Sequence, residues 1–207
     1  MIPRNPRQFI QECSVAGVTP SIHLCGAGAI QEFLDCNFKP LEGFNKIQLN
    51  INFSRFDDVN VIRRAVQFFL VQNKENLVVF QQNRKTVDYV TEILEGMDES
   101  LIKEQIGVLS DSSGGHGKVL DLDSLETTVP SFDFHGEQRF VMGYAGGISP
   151  ETVADIVAHI ESKRQHEHPD GEYYIDMENG VRDANDWFSL DKCWQVLDKI
   201  VNANIDR

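Results

Sequence analysis

The sequence predicts an α/β protein of the TIM (βα)8-barrel type, incomplete, with six parallel strands. Three observations predict it. Short apolar, β-rich runs alternate with segments of helical periodicity along the chain. Strict βα alternation calls for parallel strands joined by right-handed crossovers. Three successive strand ends carry glycine and polar residues, as expected where barrel loops converge on one ligand. The alternation alone also suits a doubly wound sheet.

Taken in chain order, residues 3–16 read as a helix ahead of the first strand, and strands are predicted at 21–24, 46–51, 77–80, 106–109, 139–143 and 173–177. Helical patterns follow at 27–35, 59–72, 85–94, 149–165 and 190–203, and loops rich in polar and turn residues occur at 96–100, 127–138 and 165–172. In the last helix, "DWFSLDKCWQVLDKI", the residues Trp187, Phe188, Leu190, Trp194, Leu197 and Ile200 are expected mostly in the core, with Asp186 or Ser189 as cap. All 207 residues are expected to form a single domain, since a chain of this length can bury a large core and 41% hydrophobic content is ordinary.

The richest stretch is "FVMGYAGGISPETV", where an apolar run ends in Gly146 and Gly147 and passes into a helix start. Two residues without side chains let an anion approach the backbone, and a new helix leaves its first N–H groups unpaired with its positive dipole end outward. Ser149 suits the N-cap, Pro150 the first helical position and Glu151 the first turn. "IGVLSDSSGGHGKVLDLDSL" has the same form, with Asp111, Gly114, Gly115 and Gly117, and so does "YYIDMENGVRD", with Asn179 and Gly180. Singly, each is an ordinary strand-ending turn; together they predict a phosphorylated small-molecule ligand.

The ordered set "VLSDSSGGHGKVLDLDSL", "GYAGGISPETV" and "YIDMENGVRD" resembles the last three βα units of phosphoribosylanthranilate isomerases, and "KIQLNI" is similar to that family's fourth strand, with Asn50 where a His is common. The resemblance covers roughly residues 46–202. It implies an eight-stranded barrel with the phosphate held after strands seven and eight. Gly146 and Gly147 match the pair in the seventh loop, Asn179 and Gly180 take the place of a Ser-Gly in the eighth, and Gly114 and Gly115 match the sixth. Asp121 matches the acidic residue after the sixth loop's Gly-Lys, with Leu120 and Leu122 replacing the usual aromatic flanks.

The family's reaction, in tryptophan biosynthesis, is an Amadori rearrangement of an aminoaldose phosphate to an aminoketose. It is an aldose–ketose isomerisation that needs an acid to open the ring and a base to move a proton from carbon two. No cofactor or metal is expected. The resemblance makes Asp111 the best acid, although an ungapped alignment puts Ser110 there; the alternative for Asp111 is a residue organising its own loop. The family's base is a cysteine in a first strand ending Cys-Gly. Only "IHLCG" compares with it, and two alignments stay open. Counting back from the eighth strand makes residues 22–25 the third strand, so that the first two βα units are missing and Cys25 becomes a small barrel-interior residue. Matching the Leu-Cys-Gly string makes Cys25 the base. His23 is a substrate-binding candidate if it points inward and otherwise a hydrogen-bonded core histidine. Asp176 and Glu178 share one face of the last strand; Asp176 is expected near the barrel mouth, and Glu178 to meet a sugar hydroxyl or pair with Arg182.

The formal net charge of −13 argues against a nucleic-acid partner, whereas backbone amides can still supply a local field for phosphate. Cys13, Cys25, Cys36 and Cys193 lack paired zinc-site spacing, which suits a reducing cytoplasm. No signal-like or membrane-length apolar run is present. His166 and His168 beside Asp170 read as a solvated turn in preference to a metal site. A six-stranded sheet has two open edges that must be covered, and three ways stay open: the chain begins late relative to a longer parent, it closes a distorted barrel, or it pairs with another copy as a homo-oligomer. A non-catalytic phosphate-binding remnant is the alternative function. An aldolase or epimerase would need a strand-end lysine or metal ligands, and Lys46 and Lys118 have no clear strand-end position.

Overall fold

The computed structural model describes residues 6–111, 141–167 and 173–205. Its strands are hydrogen-bonded in chain order: β1 (Ser21–Cys25), β2 (Lys46–Asn50), β3 (Leu77–Gln82), β4 (Ile106–Asp111), β5 (Val141–Ala145) and β6 (Tyr173–Asp176). β1 with β2, β2 with β3 and β5 with β6 pair in parallel. Sequential order without a reversal belongs to a (βα) barrel, because a doubly wound sheet turns back at a switch point. The fold is thus α/β with six parallel strands, consistent with an incomplete TIM-type barrel. The helices are α1 (Pro6–Val15), α2 (Ala27–Leu34), α3 (Val59–Gln72), α4 (Val87–Glu95), α5 (Glu99–Gln105), α6 (Val153–Glu167) and α7 (Leu190–Ile205). None of the described helices is long and apolar enough to cross a membrane. The chain groups into two compact units, residues 1–81 with 88–108 and residues 82–87 with 109–207.

In the first unit, strand periodicity sorts the side chains. Ile22, Ile47 and Val78 align across β1, β2 and β3, as do Leu24, Leu49 and Phe80, and all six are buried. Ile22 and Leu24 lie against Phe33 of α2. Phe33 in turn meets Phe69 of α3, ring centroids 5.7 Å apart, and Phe38 sits 4.9 Å from Phe69 edge-on. The helix α3 begins where the Asp58 carboxylate accepts the N–H groups of Asn60 and Val61. It buries Val59, Ile62, Ala65, Val66, Phe69 and Leu70. Arg63 on its other side donates to the carbonyls of Ile93 and Glu92, fastening α4.

Helix α5 is absent from the sequence reading, which put a loop at 96–100. Seven residues are too few for a clear period, but Asp98 caps them by accepting Ser100 N–H at 2.9 Å and Ser100 Oγ–H at 2.6 Å. Those bonds hold the Asp98 carboxyl below its usual range. Gln105 at the end of α5 donates to Asn73 O and Asn76 O, closing the turn into β3.

In the second unit, Met142 pairs with Tyr173 and Tyr144 with Ile175. Tyr173 donates its hydroxyl to Glu161 of α6 at 2.6 Å, which marks this face as the helix-covered one. The opposite face carries Gly143, Ala145, Tyr174 and Asp176. Gly143 has no side chain because the Tyr174 ring occupies that space. Burial of Tyr174, with a smaller push from the Asp176 carboxylate, drives its hydroxyl pKa well above the usual value. Val153, Ile156, Val157 and Ile160 of α6 and Val196 of α7 are buried. The expected core role of the closing segment is corrected here: Trp187 is 73% exposed, Leu190 72% and Trp194 69%, and Phe188 and Leu197 are exposed as well. Of the residues expected inside, Ile200 alone is half-buried. The helix sits on α6 by a different strip, containing Val196, and among the described residues its aromatic side stays exposed.

Candidate functional site

The turn after β5 is set by backbone conformation. Gly146 has φ of 104° and Gly147 of 64°, a left-handed pair that side chains resist. Ile148 then anchors the loop by burial. Ser149 accepts Glu151 N–H on Oγ at 3.2 Å and donates to the Glu151 carboxylate at 2.7 Å. Thr152 Oγ1 accepts Ser149 N–H at 3.0 Å and donates to Gly147 O at 2.7 Å. This is half of a capping box: Thr152 takes the reciprocal position on the Ser149 amide, while Ser149 Oγ takes the Glu151 amide instead of that of Thr152, a role of Thr152 that sequence reading missed. The Ser149 carbonyl accepts the N–H of both Thr152 and Val153. Residues 150–152 form a turn, and the regular helix starts at Val153, four residues later than predicted.

One expectation changes as a result. The first helical amides were expected to be unpaired, yet those of Glu151, Thr152 and Val153 are engaged by Ser149. The candidate donors for an anion therefore move back to the glycines. Ser149 and its Glu151 partner also hold the Glu151 carboxyl below its ordinary value: the Ser149 hydroxyl acts most, then the residue's own amide, then the charges of Lys192 and Lys199.

The turn after β6 meets this loop. A Cβ on Gly180 would run into the Ile148 carbonyl oxygen and stand 2.9 Å from Ser149 Cβ, so only glycine admits the contact. Asn179, Gly180 and Val181 form a single 3₁₀ turn, with Asn179 exposed and Val181 fully buried. Glu178 pairs with Arg182 at 3.0 Å, one of the two roles predicted for it. Two lysines of α7 tie both turns from behind, Lys199 donating to Pro150 O and Lys192 to Arg182 O at 2.7 Å. Neither was anticipated, because a lysine bound to a carbonyl leaves no local pattern in sequence.

Asp176 ends β6, half-buried on the face shared with Gly143 and Tyr174. Asp111 is the last residue of β4 and 4% exposed, directly after fully buried Ser110, so it belongs to a strand instead of starting a loop. In the first unit, His23 and Cys25 share the face of β1 opposite Ile22 and Leu24 and are solvent-exposed, so His23 is not a core histidine. Their register partners are Gln48 and Asn50, and Gln48 donates to Gln81 at 3.2 Å, giving that face a polar lining. Gly114, Gly115 and Asp121 lie outside the described residues. Among the described residues no cluster of three or more His, Cys, Asp or Glu side chains could hold a metal ion. No protein-family model matches the chain, and no curated protein matches it.

Proposed function

We propose that this chain is a phosphoribosylanthranilate isomerase-like barrel that binds a phosphorylated sugar through Gly146, Gly147, Asn179 and Gly180. The observation that carries the reading is the seating of Gly180 on the Ile148–Ser149 peptide, which joins two glycine turns at the ends of adjacent parallel strands. That juxtaposition is where barrel enzymes hold phosphate. Backbone amides supply the field, so the chain's overall acidity does not oppose the ligand. In this reading Asp111 is the acid that opens the sugar ring, and Asp176 contacts its hydroxyls. The resemblance gives Cys25 the base's role in one alignment and His23 a substrate-binding role, and it assigns sixth-loop roles to Gly114, Gly115 and Asp121, which lie outside the described residues.

The second reading is a non-catalytic phosphate-binding remnant serving as a binding or interaction module. It is favoured by the exposure of Cys25, the cysteine that has a place in the family's pattern. Phosphoribosylanthranilate turnover by the purified chain, with complementation of a strain lacking the isomerase, separates the two. The enzymatic reading expects turnover that Asp111→Asn reduces by about 10²–10⁴-fold while ribose 5-phosphate still binds. Ribose 5-phosphate binding without turnover selects the remnant, and absence of both overturns each.

A further inference from the structure

The exposed residues of α7 and its lead-in form a pattern. Leu190, Trp194, Leu197 and Val201 recur along the helix at spacings of four, three and four, the seam of a two-helix pairing, and they and Trp187 just ahead of the helix are all exposed. The seam is pre-formed. Asp183 accepts the N–H groups of Asn185 and Trp187 and bonds back to the Trp187 carbonyl, and Val181 O accepts Ser189 N–H, so Trp187 is presented by a fixed loop. Lys192 and Lys199 hold the helix from its other side, and Val196 is fully buried beneath it.

We infer that this seam is a homodimer interface, with α7 packing antiparallel against α7 of a second copy about a two-fold axis. Two observations select that occupant. Aromatic side chains are worth roughly 150–250 Å² each, so the exposed shares of Trp187, Phe188 and Trp194 alone come to about 300–500 Å², to which Leu190, Leu197 and Val201 add their own. A stable, specific interface needs about 800 Å² per partner. The seam also complements itself: antiparallel layers set Trp194 against the partner's Leu197 and Leu190 against the partner's Val201, large beside small. Its rim bears Asp191 and Asp198, while Lys192 and Lys199 are bonded to the carbonyls of Arg182 and Pro150, unlike the basic rim of membrane-surface helices. In the dimer these carboxylates face their counterparts, so added salt tightens association by screening them. This interface differs from the open sheet edges, where self-association was one expectation from sequence.

Sedimentation equilibrium of the full chain tests it. The expected result is a dimer whose dissociation constant rises at least 100-fold in Trp194→Glu and falls several-fold in Asp191→Asn/Asp198→Asn or on going from 50 to 500 mM NaCl. Circular dichroism shows whether Trp194→Glu remains folded; Leu190→Glu must act alike. A monomer at 100 μM overturns the proposal. So does a dimer indifferent to both substitutions, a dimer loosened by salt, or a monomer that instead co-sediments with anionic lipid vesicles.

Discussion

Helices α3 and α7 are similar in pattern and opposite in circumstance. Each is amphipathic, of 14 and 16 residues, yet α3 buries six side chains, Phe69 among them against Phe33 of α2, while α7 buries Val196 and displays its two exposed Leu and Trp194. Periodicity establishes that a helix has an apolar face; it does not establish what covers it. For α3 the cover is in the sequence nearby, Phe33 and Phe38 reaching Phe69. For α7 no described residue supplies it.

The sharpest way to test that contrast is a pair of truncations. Phe69→Ala should cost about 3–5 kcal/mol, because a fully buried ring leaves a cavity. Trp194→Ala, at protein concentrations where the chain is monomeric, should change stability by within about 0.5 kcal/mol. Denaturant midpoints of the two variants measure this, and equal losses would erase the distinction.

A smaller effect is expected at the contact between the two glycine turns. Gly180→Ala must move the Ile148 peptide or its own turn, and overpacking of this kind costs about 1–3 kcal/mol. It should also weaken phosphate binding, whereas Asn185→Ala on the exposed loop should do neither. Urea unfolding and ribose 5-phosphate titration read both.

The smallest effect concerns acid. The Glu151 carboxyl sits below its usual 4.5 through the Ser149 hydroxyl first, so its stabilisation is complete above that pH and is lost as pH falls through the lowered value. Protection factors of the amides in the first turn of α6, corrected for intrinsic exchange, should therefore fall as pH drops below 4.5, and Glu151→Gln should remove that acid dependence. The same protection in both proteins at every pH would contradict it.

Much of the fold was legible in the sequence and the reasons are local. All six strands were found because each is a short apolar run between turn residues, as in "KIQLN" and "LVVFQQ". The glycine turn after β5 was found because Gly146 and Gly147 mark backbone that needs positive φ, and the one after β6 because Asn179-Gly180 is a turn-forming pair. What stayed hidden is tertiary. The Gly180 contact with Ile148 joins residues 32 positions apart, and the lysine tethers of α7 reach carbonyls from other elements. The exposure of Trp187 and Trp194 was misread for the same reason: a buried and an unpartnered apolar stripe look identical along the chain.

The central claim is that the turns bearing Gly146, Gly147 and Gly180 share one anion. Nitrogen-15 correlation spectra of the full chain, titrated with inorganic phosphate at constant ionic strength, test it most directly. The account predicts that the amides of Gly146, Gly147 and Gly180 shift together with one dissociation constant while those of the β1 face, His23 and Cys25, stay still. Shifts confined to one turn, or none at these glycines, would contradict it.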